Sequence, residues 1–438
     1  MSEVTTDSKL IPKGRWFRLI PPMILVYVVS YTDRMNISFA MAGGMNEALG
    51  ISMTVSGLAA GIFFIGYLFL QIPGGHLAEH RSAKILILWT IVGWGGVSIL
   101  TAFVQNEWQL LLMRFLLGVS EGGLWPAMLV VISNWFPDKE CGRANALFMS
   151  SIAIAAVLSS PLSGWLVAAF TWRGMFIIEG VASLALIAVW LPLIADKPQD
   201  AKWISKEERD YLVETISKER QAVKKKTKRN ISYKDLLGNI NLWKMTMIYF
   251  AFQTGRLGFM LWLPTIIKNL TKTGIASVGL LATGPYLAAL IGMYLFSAMS
   301  DKSLNRRKYT VITAVGFALF FWLSTQAATH VWVSYLLLTL AGFFTLSMIP
   351  VFWSMPAYLF PEGSAGAARG FINAIGSLGG FVGPFLFGWV ASTFNMNAGI
   401  YCLVGFLLAG AALCMTLPAV TAGIRDRENS GEEGSTCR

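Results

Sequence analysis

Apolar blocks of about 20 residues recur along this chain, and an α-helix of that length crosses a bilayer core of about 30 Å. They fall at 19–41, 54–75, 85–104, 109–134, 144–168, 174–194, 243–267, 276–299, 309–327, 332–358, 369–391 and 397–417. A backbone in lipid must bond its own N–H and C=O groups, so blocks this long predict helices and not open strands. Composition agrees: 13% of residues are charged, against about 25% in a soluble domain. The expectation is an all-α membrane protein with twelve transmembrane helices. The first block reads as a span and not as a cleaved leader, being long and lacking a small-residue cleavage site.

The net charge of +11 is distributed in alternate loops. Basic residues gather before the first block (Lys9, Lys13, Arg15, Arg18), at Arg81/Lys84, Lys139/Arg143, in the 195–242 loop, at Lys302/Arg306/Arg307/Lys308 and at Arg425/Arg427. The intervening loops hold only Glu47, Glu107, Arg173, Lys268, Lys272 and His330. The positive-inside rule then places both termini in the cytoplasm. The run KKKTKR (224–229) fits an orienting, lipid-facing cluster better than a nucleic-acid patch. Cys141, Cys402, Cys414 and Cys437 have spacings that suit neither a disulfide framework nor a zinc site.

An internal repeat sets the architecture. Glu79 is followed five residues on by Lys84, and Asp301 five residues on by Arg306. Pro126 and Pro137 match Pro350 and Pro361, each pair 224 positions apart, and Trp165 in PLSGW matches Trp389 in PFLFGW at the same offset. The chain reads as a six-helix bundle at 1–194, a polar linker at 195–242, a second bundle at 243–417 and a tail at 418–438. Ser205 and Glu208 have the spacing of a capping box, which predicts a short surface helix in the linker.

An ionisable side chain inside a span costs about 2.5–3.5 kcal/mol on insertion scales and is a functional candidate by default. Six fall there: Asp33, Arg34, Arg114, Glu121, Glu179 and Arg256. With the acids ionised their charges cancel, so protonating one acid leaves a net positive set that attracts an anion. Arg114 and Glu121 lie two helical turns apart and share a face, which Gly118 and Trp125 continue. Asp33 and Arg34 point about 100° apart, so one can face a cavity while the other leans on span 2, 4 or 5.

A structural ion-pair network would explain these four residues without any task. Yet apolar packing could replace a purely structural lock without loss of stability, and arginine suits the two-pronged grip of a carboxylate. Arg256 has no acid in its own helix and falls, by the repeat, at the place of Asp33 or Arg34. Glu179, near Arg173, is read as a structural residue of the outer rim. His76, His80 and His330 are assigned to loops, which leaves Asp33 and Glu121 as the candidate proton carriers. There is no nucleophile–base set and no metal-ligand cluster, so neither an enzyme nor a cofactor is expected.

Five stretches resemble the anion:cation symporter family of the major facilitator superfamily, over nearly the whole chain. YTDRMNISFA (31–40) resembles its first-helix signature and RFLLGVSEGGLWPA (114–127) its fourth. PGGHLAEHRSAK (73–84), DKPQDAKWISKEE (196–208) and WLPTIIK (262–268) resemble the 2–3 loop, the segment after span 6 and the end of span 7. The resemblance implies two bundles rocking around a central site. It puts proton coupling on Asp33 and Glu121, substrate contact on Arg34 and Arg114, and cavity-lining positions at Tyr67 and Asn373. The chain departs from the pattern at Glu79, Ser82 and Ala83, where the wider superfamily tends to have Asp, Gly and Arg. It departs again at Arg256, usually an uncharged position, which argues against a simple monocarboxylate.

The expectation is a monomeric importer in the bacterial cytoplasmic membrane that carries an organic carboxylate with protons. Arg256 can hold a second anionic group and Trp353, Tyr67 and Phe371 can offer a ring face; Asn145, Gln253, Ser354 and Asn373 would instead suit a sugar acid. The alternative is an organophosphate or anion exchanger, which would not need Asp33 and Glu121 to titrate. A receptor lacks a signalling domain here, and multidrug efflux conflicts with the cation excess.

Overall fold

The computed structural model describes residues 14–226, 233–360 and 364–418. Lys9, Lys13, residues 227–229 of KKKTKR, Pro361, the tail beyond 418 with Arg425 and Arg427, and Cys437 lie outside the described residues, as do both termini. Packing divides the chain into two units: residues 1–50 with 62–229, and residues 51–61 with 230–438.

The first unit contains α1 (Gly14–Ala40), most of α2 (Met53–His80), α3 (Ala83–Thr101), α4 (Glu107–Gly122), α5 (Leu124–Trp135), α6 (Asp138–Ala185), α7 (Ile187–Leu193) and the linker helix α8 (Lys206–Lys226). Here α6 packs on both α1 and α3, and α3 on α4. The second unit contains α9 (Ile240–Thr271), α10 (Ile275–Ser303), α11 (Arg306–Gln326), α12 (Val331–Thr345), α13 (Met348–Ser354), α14 (Ala365–Gly376), α15 (Gly379–Thr393) and α16 (Met396–Met415). Within it α9 packs on α15 and α16, and α11 on α12 and α16. The first turns of α2 cluster here because Gly57 and Gly61 bring their backbone onto Pro384 and Phe381, where a Cβ would overlap the carbonyls.

Polar caps fix where the apolar blocks become helix. The side chains of Ser82, Asn106, Asn305 and Asn395 accept hydrogen bonds from the backbone N–H groups of Ile85, Gln109, Lys308 and Ala398 at 2.9–3.1 Å, satisfying donors that a helix start leaves open. Prolines that mark the repeat have a structural reason. The helix breaks at Gly123 and restarts as α5, with Pro126 its third residue. It breaks again at Leu346–Ser347 and restarts as α13, with Pro350 its third residue. Proline is tolerated in a first turn, where its missing N–H has no partner to lose.

By length and composition, nine helical stretches among the described residues could cross a membrane. One of them, Asp138–Leu193, spans two predicted blocks and bends at Thr171 (φ 62°). The helices also run past some predicted edges. His76 and His80 lie in the last turns of α2 and not in a loop, because the helix continues beyond its apolar block. Trp125 sits beyond the break at Gly123, so it does not continue the face of Arg114 and Glu121 on one unbroken helix; it packs on Tyr27 and Phe148 instead.

The linker helix forms where expected, but with half a capping box. Glu208 N–H donates to Ser205 Oγ at 3.2 Å. Its carboxylate turns to Arg15 Nη1, 2.5 Å away, and Arg15 Nη2 reaches Glu140 at 2.6 Å. A buried guanidinium outcompetes the backbone N–H of Ser205. The repeat's charged pair also differs between halves: Asp301 and Arg306 pair at 2.5 Å, whereas Asp196 accepts from Ser82 Oγ and the Lys84 N–H.

Candidate functional site

Three helices of the first unit, α1, α4 and α6, carry the buried charges. Arg34 on α1 reaches Glu121 on α4: its Nη2 lies 2.9 Å and its Nε 3.3 Å from Glu121 Oε2. Ser30, one turn before Arg34, donates to the same oxygen at 3.0 Å. Glu121 is fully buried while the Arg34 side chain keeps 12% of its surface exposed, so the arginine is the accessible member of the pair. Its guanidinium lies over the rings of Phe63 and Tyr67 on α2, at 5.1 and 5.0 Å, and 6.0 Å from Tyr31.

Arg114 is 1% exposed. Its Nη2 donates to the backbone carbonyl of Arg34 at 3.3 Å, and its guanidinium lies 5.4 Å from the Phe63 ring. One phenyl ring thus carries both cations. Gly118 lets α2 come this close, since a Cβ there would overlap the Phe63 carbonyl.

Asp33 takes a different direction from its neighbour, as the 100° step requires, and finds hydroxyls. Its Oδ1 accepts from Ser98 Oγ at 2.8 Å and Asn36 Nδ2 at 3.1 Å; its Oδ2 accepts from Ser183 Oγ at 2.8 Å. Its partners outside α1 come from α3 and α6, so Arg34 is the member of the two that leans on spans 2 and 4. Glu179, also on α6, belongs to this cluster and not to a rim pairing with Arg173. Asn36 Nδ2 donates to Glu179 Oε2 at 2.7 Å and Ser163 Oγ to its Oε1 at 3.0 Å, while Arg173 donates to the carbonyls of Ala102 and Val104. The expected four-residue network is thus two neighbouring clusters, one with a guanidinium in direct contact and one built on hydroxyls and an amide. Glu179 stands out in the sequence as a charge inside a span but reads there as a rim residue; the three serines carry no such signal, since a serine among apolar residues looks like any small packing residue.

In the second unit Arg256 is half-buried on α9. Its Nε donates to Gln253 at 2.8 Å and its Nη1 approaches Met260 Sδ at 3.4 Å. Tyr249, two turns earlier, stacks on Phe352 at 5.3 Å and meets Trp353 edge-on at 4.9 Å. Tyr67 and Asn373 are both half-buried. Among the described residues no group of His, Cys, Asp or Glu side chains could hold a metal ion.

Comparison with known proteins places this geometry. The sequence pattern of the Major Facilitator Superfamily matches residues 23–277 and 266–435. A relative from Agrobacterium vitis that bears the name of a tartrate transporter is 36% identical over 411 residues, covering 91% of this chain and 93% of its own. A relative from Acinetobacter baumannii named as a quinolone resistance transporter is 31% identical over 411 residues, covering 91% and 92%. Among solved structures, an inward-facing, unoccupied bacterial homologue of the human lysosomal transporter Spinster matches with a TM-score of 0.78 at 13% identity, covering 95% of this chain and 99% of the other.

Proposed function

The chain belongs to the Major Facilitator Superfamily, as a multi-pass secondary transporter of the bacterial cytoplasmic membrane and not an enzyme, and on that premise we propose that it imports an organic carboxylate together with protons by alternating access. The observation that carries this reading is the Arg34–Glu121 pair: an internal carboxylate, fully buried, held by a partly accessible guanidinium at 2.9 Å. An incoming carboxylate can offer Arg34 the same contact. Glu121 then keeps only the Ser30 hydroxyl, and an apolar interior does not tolerate a bare carboxylate. Taking up a hydrogen ion removes that charge, so anion and proton load together.

In this reading Asp33 and Glu121 carry protons, Arg34 grips the substrate, and Arg114 holds Arg34's backbone in place beside it. Tyr67 offers a ring face. Arg256 and Asn373 on the second unit serve a second polar or anionic group of the substrate. The chain acts as a monomer with twelve crossings and cytoplasmic termini, organised as bundles 1–194 and 243–417, linker 195–242 and tail 418–438. The relatives named for tartrate favour a small hydroxylated dicarboxylate.

The test is uptake of radiolabelled tartrate by purified protein in lipid vesicles. An inward proton gradient should drive accumulation and the medium should become more alkaline as substrate enters. Uptake that ignores the gradient and runs only as exchange would assign the chain to antiport. Accumulation driven by a sodium gradient alone would move the coupling to another ion. Transport of quinolones with no response to carboxylates would overturn the reading altogether.

A further inference from the structure

The cluster around Asp33 has more oxygens seeking hydrogens than hydrogens to give. Ser183 Oγ lies 2.8 Å from Asp33 Oδ2 and 2.9 Å from the backbone carbonyl of Glu179. Ser98 Oγ lies 2.8 Å from Asp33 Oδ1 and 3.3 Å from the backbone carbonyl of Phe176. A hydroxyl has one hydrogen, so each serine stands between two acceptors and serves one. Both hydrogens of Asn36 Nδ2 are taken, one by Asp33 and one by Glu179. Asn36 Oδ1 is buried and receives no hydrogen bond among the described residues.

One added hydrogen resolves the competition at Ser183. If Asp33 Oδ2 carries it and donates to Ser183 Oγ, the serine's own hydrogen goes to the Glu179 carbonyl and both are served. The charges nearby leave room for it. Arg34 is bound to Glu121, Arg173 donates to backbone carbonyls of the Ala102–Val104 turn, and α3 contributes the Ser98 hydroxyl. Arg114 and Glu121, of opposite sign, are the charged groups that act on Asp33 through space besides Glu179. Two carboxylates on one amide nitrogen repel when both are ionised.

From this hydrogen count we propose that Asp33 and Glu179 together hold one hydrogen ion across the Asn36 amide, as a store for the transported proton distinct from the Arg34–Glu121 pair. The store rests on the proton-coupled reading above, but its occupancy can be tested without any substrate. Infrared spectra of the purified protein in vesicles, in water and in heavy water, report the C=O stretch of an undissociated carboxyl. Wild-type protein should show one such band at neutral pH. Glu179→Gln and Asp33→Asn should each abolish it, Glu179→Asp should keep it, and Glu121→Gln should leave it in place. A structural role for Glu179 would not move this signature, because glutamine still bonds Asn36 and Ser163.

Retention of the band in Glu179→Gln, or its loss in Glu121→Gln alone, would overturn the proposal. Should Glu179→Gln fail to fold, Asp33→Asn decides by the same criterion. The two readings fail separately. A wild-type band that behaves as described without proton movement on tartrate uptake sinks symport and keeps the shared proton. Proton-driven uptake with no resting band sinks the store and keeps symport.

Discussion

Glu208→Ala should undock the linker helix, and the size of the effect follows from what remains around Arg15. Arg15 is 1% exposed and lies between Glu208, 2% exposed at 2.5 Å, and Glu140, 27% exposed at 2.6 Å. Removing one partner of a buried pair costs about 3–5 kcal/mol when the other charge is left alone. Glu140 remains here, so Arg15 keeps a counter-charge. The loss then approaches that of one charged hydrogen bond, about 1.5–3 kcal/mol. At tenfold per 1.4 kcal/mol, amide hydrogen exchange in α8 should speed up roughly 10- to 150-fold. Arg15→Met should cost more, since it strips two carboxylates of their shared cation. The double change Arg15→Met/Glu208→Ala should cost less than the two single changes together. Hydrogen exchange read by mass spectrometry across α8 gives all three values, and fluorescence of Trp203, stacked on Trp135 at 5.1 Å, reports the same docking. Exchange in Glu208→Ala within about twofold of wild type, or strict additivity in the cycle, would refute the anchor.

Arg34→Lys should weaken tartrate uptake roughly ten- to hundredfold, as an ammonium cannot keep both nitrogen contacts or lie flat over Phe63 and Tyr67; an unchanged half-saturation concentration would remove Arg34 from the substrate. Gly118→Val should destabilise by about 1–3 kcal/mol through overpacking against the Phe63 carbonyl, whereas Gly96→Ala, with open space at its Cβ, should not; thermal unfolding in detergent compares them. Burial and the charge of Asp138 raise the Cys141 thiol above its ordinary 9.0, against an opposing hydrogen bond from Asn145. In a Cys437→Ser background its maleimide labelling should therefore be slow at pH 7 and still accelerating through pH 9, because the thiolate is the reactive form; a plateau below pH 9 would contradict the burial.

The parts of this site that the sequence made legible are those with an energetic penalty written into them. An arginine or a glutamate inside an apolar block stands out because burial is costly, so Arg34, Arg114, Asp33 and Glu121 were visible one by one. The repeat was visible because proline tolerates few helix positions, and Pro126 and Pro350 occupy the same one. Ser98, Ser163 and Ser183 were invisible, since nothing in their spacing says that two helices aim them at one pair of acids. Glu179 was misplaced because its nearest basic neighbour in sequence, Arg173, is not its neighbour in space. Glu208 matched a local motif whose second half lost to a long-range partner. Local spacing named the charges; tertiary packing chose their companions.

The aromatic floor under Arg34 bears on how one anion replaces another. Phe63 and Tyr67 present their faces to the guanidinium, and such faces attract a cation by about 0.5–2 kcal/mol. In the exchange proposed above, these faces would leave the cation some stabilisation while no carboxylate holds it. The intermediate moment, with Glu121 departing and the newcomer not yet seated, would then be cushioned, and such a handover would cross a shallower barrier than over aliphatic side chains.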